Sequence, residues 1–331
     1  MAVEKTRSKI FFVVTVLWAC AYPGLLKLFS ISILSYNTSP SIIKSIVAII
    51  VMLLMFLLPV MSFWALQQIK NSEHPNSLAI RTMLYILVAS APAYILVGTI
   101  SGLLHVGHWQ PWFWLLGLIT GFVFICLGSS SRHEKKKTLL NYVLIKKIHR
   151  ISGIVLLVGF IGLHLLNHAT ALISVEKHEE IRLLFRSWYA SEFVEPILFV
   201  IFIIMVVTGL PMARLYMRAN SDVYKTLQIG SGIYTVLFLT AHVNAVLSAQ
   251  YRNVNTDWIF ATGEKGLING YYFLIPYYIL SVGMICLHLS TAIRVIVLKK
   301  VGTKTANKTF KVAMFGGLII TLIISAAILG F

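Results

Sequence analysis

The sequence predicts an all-α fold, a polytopic transmembrane helix bundle of about nine spans. Composition is the first reason. Of 331 residues, 58% are hydrophobic and only 12% charged, and the mean hydropathy is +0.84. Soluble domains carry about 25% charged residues. Half that share excludes a soluble enzyme, a disordered tail and a nucleic-acid module. The second reason is that apolar runs of about 20 residues, the length that crosses a bilayer core as helix, recur along the chain. The third is that the cations sort onto alternate connections.

The runs are 10–34, 42–66, 82–104, 111–128, 151–173, 194–217, 226–249, 271–298 and 312–331. Lys27 falls inside the first and must snorkel or end it early; Lys44 opens the second. Pro23, Pro59, Pro92, Pro211 and Pro276 fall within runs, where kinks are tolerated. Basic residues precede the first run. Its length, and the lack of a small-residue cleavage site, make it a span and not a removed signal peptide. The connection 129–150, which opens SSSRHEKKK, separates a four-span region at 1–128 from the remainder. No connection is long enough to hold a soluble catalytic head, so any such head must be another chain.

Lys and Arg number 28 against 11 acids, a net charge of +17. With the N-terminus inside, 21 of these cations fall on inner segments and 5 on outer ones, while Lys27 and Lys44 stay unassigned. Outer segments also take 7 of the 11 acids. Cytoplasmic loops collect Lys and Arg, so the charge needs no nucleic-acid partner. It predicts a multi-pass protein of the cell's inner, cytoplasmic membrane with its N-terminus in the cytoplasm. Cys20, Cys126 and Cys286 each sit in an apolar run, form no CxxC and read as core.

Ionisable residues inside spans are candidates for function. Of ten histidines, His74, His133 and His178 fall in connections and read as ordinary surface residues. His105 and His108 stand beside Trp109, Trp112 and Trp114, as in an interfacial aromatic belt. His164, His168, His242 and His288 lie in or near the middle of apolar runs, where each imidazole needs a partner. His164 and His242 fall at similar depths, roughly 14 and 10 Å from the outer ends of two parallel spans. Such a pair suits one metal gripped from both sides, and imidazole is the usual axial ligand of haem iron. Around them the sequence repeats weakly: Ser152-Gly153-Ile154 with His164 eleven residues after Gly153, and Ser231-Gly232-Ile233 with His242 ten residues after Gly232. Plain helix packing also explains these glycines.

The residues His149-Arg150-Ile151-Ser152-Gly153, His164-Leu165-Leu166-Asn167-His168, Leu227-Gln228 with Ser231-Gly232, His242 and His288 carry a resemblance over roughly 146–300. This part of the chain resembles the cytochrome b membrane subunits of succinate dehydrogenases and fumarate reductases. It is also similar to the membrane anchors fused to some bacterial adenylate cyclases. The resemblance implies a five-helix cytochrome b-like bundle over 151–300, of which spans 5–8 are identified, followed by a C-terminal span at 301–331. It implies haem b on His164 and His242, with His288 at a position of a second haem. The fourth histidine of two-haem members is missing, since Ile204-Met205-Val206-Val207-Thr208 holds none. One haem is therefore expected, with His288 bonded to protein or water. The resemblance also implies a quinone near Arg150 and Ser152, with His149 beside them, and flavoprotein and iron–sulfur partner subunits. The expected function is a haem b-containing membrane anchor and electron-transfer subunit of a quinone-linked oxidoreductase. The alternative is a non-redox membrane receptor or assembly subunit that keeps the fold. Whether the chain belongs to an enzyme complex stays open at this point.

Overall fold

The computed structural model describes residues 2–69, 77–127, 142–217 and 222–330, with side chains from residue 10 onward. Among them the chain forms helices α1 (Ala2–Thr38), α2 (Ile42–Gln68), α3 (Ser77–Val88), α4 (Ser90–Leu103), α5 (Gln110–Leu127), α6 (Tyr142–Leu156), α7 (Gly162–Thr170), α8 (Val175–Tyr189), α9 (Val194–Met217), α10 (Val223–Tyr251), α11 (Trp258–Thr262), α12 (Ile275–Val301) and α13 (Thr303–Leu329). No strand occurs among the described residues. Eight helical segments are long and apolar enough to cross a membrane, and α3 with α4 makes a ninth if the bent pair is one crossing. The all-α polytopic bundle is thus the observed fold.

Side-chain contacts sort the helix ends onto two sides. On one side Gln67 Nε2 donates to Thr226 Oγ1 at 2.7 Å, joining the end of α2 to the start of α10. Arg81, early in α3, donates to the carbonyls of Ile69 and Met217, and Arg294, late in α12, donates to Asn307 Oδ1. On the other side Asn37 Nδ2 donates to Ile268 O at 2.7 Å, and Leu267 N to Ile328 O at 2.9 Å. The first side carries the basic segments and the second the acid-rich ones, as the charge pattern predicts. The cations expected at Lys70, Arg132, Lys135, Lys136, Lys137 and Arg218, and the histidines His74 and His133, lie outside the described residues.

The third apolar run is broken: α3 and α4 meet at 79°. Pro92 has no N–H to give, and its ring crowds the carbonyl four residues back, which belongs to Val88, the last residue of α3. Ser90 Oγ takes up a freed carbonyl, donating to Leu87 O at 2.7 Å. By length and composition the bent pair makes one crossing only if its two arms are taken together. Phe12 and Phe122 stack at 5.7 Å near the basic side, and Trp114 Nε1 donates to Ala19 O deeper in. Helix α5 therefore runs antiparallel to α1, back toward the side from which α3 set out.

Other boundaries differ from expectation. The fifth span begins at Tyr142 and not at 151, so Lys146, Lys147, His149 and Arg150 are helical. The last begins at Thr303, and Pro276 sits harmlessly in the first turn of α12. One buried cluster spans front and back, from Phe12 and Met55 through Leu84 to Tyr234, Tyr277 and Ile328. Helices α12 and α13 pack closely: a Cβ on Gly317 would stand 2.7 Å from Cys286 Cβ. Small residues allow such approach within membranes. By contrast α6 packs mainly on α9, and α9 buries none of its most apolar stretch.

Candidate cofactor site

Two hairpins frame the site. The first runs α6–α7, then α8, then α9; the second runs α10, then α11, then α12. Between α6 and α7 the helix is continuous but passes through a π turn at Leu157–Ile161. A π turn absorbs one extra residue inside an α-helix. This explains why His164 follows Gly153 by eleven residues while His242 follows Gly232 by ten. With that residue set aside, Phe160-x-x-x-His164 matches Phe238-x-x-x-His242. The partner helices match as well. A Cβ on Gly153 would lie 3.4 Å from Met205 Cε, and one on Gly232 would lie 2.9 Å from His288 Cε1. Three residues on from each, Thr208 Oγ1 lies 3.3 Å from Met205 O while donating chiefly to Ile204 O at 2.6 Å, and Thr291 Oγ1 donates to His288 O at 2.8 Å. The hairpins are parallel structural repeats, and Met205 stands where the second copy has His288.

His164 and His242 face each other with ring centroids 6.0 Å apart and planes at 62°. Each is stacked by the phenylalanine one turn before it, Phe160 at 5.3 Å and Phe238 at 5.4 Å. The helices α7 and α10 do not pack closely backbone to backbone, so these side chains meet across a seam. Neither imidazole has a hydrogen-bond partner among the described residues.

Toward the acid-rich side the ring of His168 lies 4.6 Å from that of His164 and 5.5 Å from that of His178. His178 is not a surface residue: it is 2% exposed, because α8 lays it against the bundle. It accepts from Asn167 Nδ2 at 3.1 Å and donates from Nδ1 to Glu179 Oε1 at 3.2 Å. Glu179 also accepts from Arg182 Nε at 2.7 Å and from Trp258 N at 3.0 Å, tying α8 to α11. Buried His168 Nδ1 and Asn167 Oδ1 lack a partner among the described residues.

Toward the basic side, His149 Nδ1 donates to Thr208 Oγ1 at 3.0 Å, since that hydroxyl has already given its proton to Ile204 O. His288 Nδ1 donates to Gln228 O at 3.1 Å, with Ser231 Oγ at 3.4 Å. Thr208 thus serves His149, and His288 is held by Gln228 and Ser231. In both rings the proton sits on Nδ1 and Nε2 keeps its lone pair, the arrangement found when a second group orients an imidazole ligand. Ser152 is buried and Arg150 exposed. Two residues apart on a helix is about 200°, so these two quinone candidates face opposite ways. His105 and His108 are exposed at the α4–α5 connection.

Sequence reasoning missed Phe160 and Phe238, quoted Asn167 only as part of a motif, and placed His178 wrongly at the surface. The doubled Phe-x-x-x-His was legible, had a one-residue offset been allowed. Compared with protein-family models, with curated proteins and with solved structures, the chain matches none.

Proposed function

We propose that this chain is the haem b-containing membrane subunit of a quinone-linked oxidoreductase. The observation that carries the reading is the His164–His242 pair. Their ring centroids lie 6.0 Å apart, within reach of one shared metal ion. A bare structural ion calls for about four protein donors, and among the described residues no three His, Cys, Asp or Glu side chains are placed to hold a metal ion together. Haem iron asks the protein for two, so the residues present fit it. Haem bound there supplies a one-electron couple. The chain's own residues would do the rest: His164 and His242 would hold the iron, while Phe160 and Phe238 fix the imidazole planes and the apolar helices exclude water. His149, Ser152 and His288 offer polar atoms to a quinone nearer the basic side, with Arg150 at the surface. A flavoprotein and an iron–sulfur subunit are the partners this reading calls for. They dock on the basic, cytoplasmic face of the inner membrane.

An optical spectrum of the purified protein tests this. Low-spin absorption is expected, and His164→Ala or His242→Ala abolishes it while the chain still inserts. If both variants keep the wild-type spectrum, the assignment is wrong. Met205 at the place of a fourth histidine favours a second reading, a receptor or assembly subunit without redox chemistry, and a colourless wild-type protein selects it.

A further inference from the structure

We propose that the basic end of the seam between the two hairpins binds the phosphate of an anionic membrane lipid. Lys146 on α6 and Lys225 on α10 come together there, and Lys299 near the end of α12 stands on the same side. Lys146 precedes His164 by eighteen residues and Lys225 precedes His242 by seventeen, the difference again being the π-turn residue. They are equivalent positions of the repeat, so their meeting is built into the fold. Their charges reach one another: Lys146 faces those of Lys299 and Arg150, and Lys225 faces that of Lys146. Aromatic rings hold them in place. Lys225 Nζ sits 3.4 Å from the Tyr216 ring centre, Lys146 Nζ lies 5.8 Å from that of Tyr142, and the two tyrosines meet edge to face at 6.1 Å. Gln228 Oε1 accepts from Lys225 Nζ at 2.8 Å and fixes it further.

The acid that faces Lys225, Asp222, is already engaged. Its Oδ1 caps α10 by accepting from Lys225 N at 2.7 Å, and its Oδ2 lies 4.0 Å from Arg294 Nη1. Arg294 is itself spread over the Tyr224 ring at 3.7 Å. Among the described residues no carboxylate pairs with the three ammonium groups. Like charges gathered this way call for an anion, and three separate ammonium donors suit phosphate oxygens. Depth selects the lipid. The spans Tyr142–Thr170 and Val223–Tyr251 have 29 residues each, about 43 Å of helix. The hydrocarbon core is about 30 Å, so these ends stand in the headgroup layer. Val143, Leu144 and Val223, beside the lysines, are exposed apolar surface for acyl chains. Basic pockets between spans on that side recognise such headgroups.

Native mass spectrometry of the purified chain, with its thermal unfolding in phosphatidylcholine vesicles with and without phosphatidylglycerol, tests the site. The wild type is expected to retain an anionic lipid adduct and to gain melting temperature from phosphatidylglycerol. The variant K146Q/K225Q/K299Q is expected to lose both. The variant K304Q/K308Q/K311Q, with the same charge change on exposed positions of α13, is expected to keep both. Should the first variant not fold, Lys146→Gln alone is expected to reduce adduct retention. Equal retention by both triple variants overturns the proposal. So does stabilisation by inorganic phosphate in phosphatidylcholine alone, which marks a soluble anion as the ligand.

Discussion

His178 illustrates how little a residue's place in a polar connection says about its burial. Burial holds its pKa below the ordinary imidazole value, and Glu179, which pulls the other way, does not offset it. The unfolded chain therefore binds more protons than the folded one below about pH 6.5. The stabilisation is present above that pH and is lost as pH falls. Thermal unfolding in detergent is expected to come at lower temperature at about pH 5.5 than at about 7.5, and His178→Gln should flatten that difference. If the variant keeps the full pH dependence, another group is responsible. At the same scale His288 has Nδ1 committed to Gln228 O, and its equivalent in the first hairpin is Met205, not a histidine. One haem per chain is expected, and a ratio near two that drops to one in His288→Ala would show a second site.

At the scale of elements, hydropathy read the long helices correctly and was blind to their irregularities. Pro92 was visible in the sequence, yet a window average carries no direction and cannot turn a run by 79°. The π turn at Leu157–Ile161 was equally hidden, because i→i+5 bonding has no composition of its own. Helix α8 escaped notice since its buried face holds His178 and Arg182, residues that count as polar. The π turn makes a sharp prediction. Deleting Gly159 removes the extra residue and leaves His164 on its face. Deleting Leu237 from regular α10 rotates one part against the other by about 100°. In a cysteine pair replacing His164 and His242, a short bismaleimide should still crosslink after the first deletion and not after the second. The α12–α13 seam makes another. Gly317→Ala forces a methyl onto Cys286 and should cost about 1–3 kcal/mol, as overpacked cores do, measured by unfolding in detergent. An unchanged midpoint would mean that the seam can open.

For the whole molecule, the sorting of cations was legible because transfer of Lys and Arg across a bilayer is costly. The contacts at the helix ends place the described basic segments on one shared side. Single cysteines in a cysteine-free background at Ser130 and Lys304 are expected to label from the same face, and one at Lys265 from the opposite face. Labelling of Ser130→Cys together with Lys265→Cys would remove the bent pair as a crossing. The candidate site was legible only as far as its two deep histidines. Its repeat symmetry depends on which helices become neighbours, and that is decided by packing over the full length of the chain.

The clamp at 263–270 has a consequence in time. Its carbonyl at Ile268 receives Asn37 from the end of α1, and its amide at Leu267 holds Ile328 at the end of α13. Spans enter the membrane in order of synthesis, N-terminal first. Helix α1 must then wait through most of translation for the segment that secures its far end, and α13 is secured last by the same eight residues. Closure of this face is a late event of assembly, and a nascent chain stalled before residue 263 lacks this hold on the end of α1.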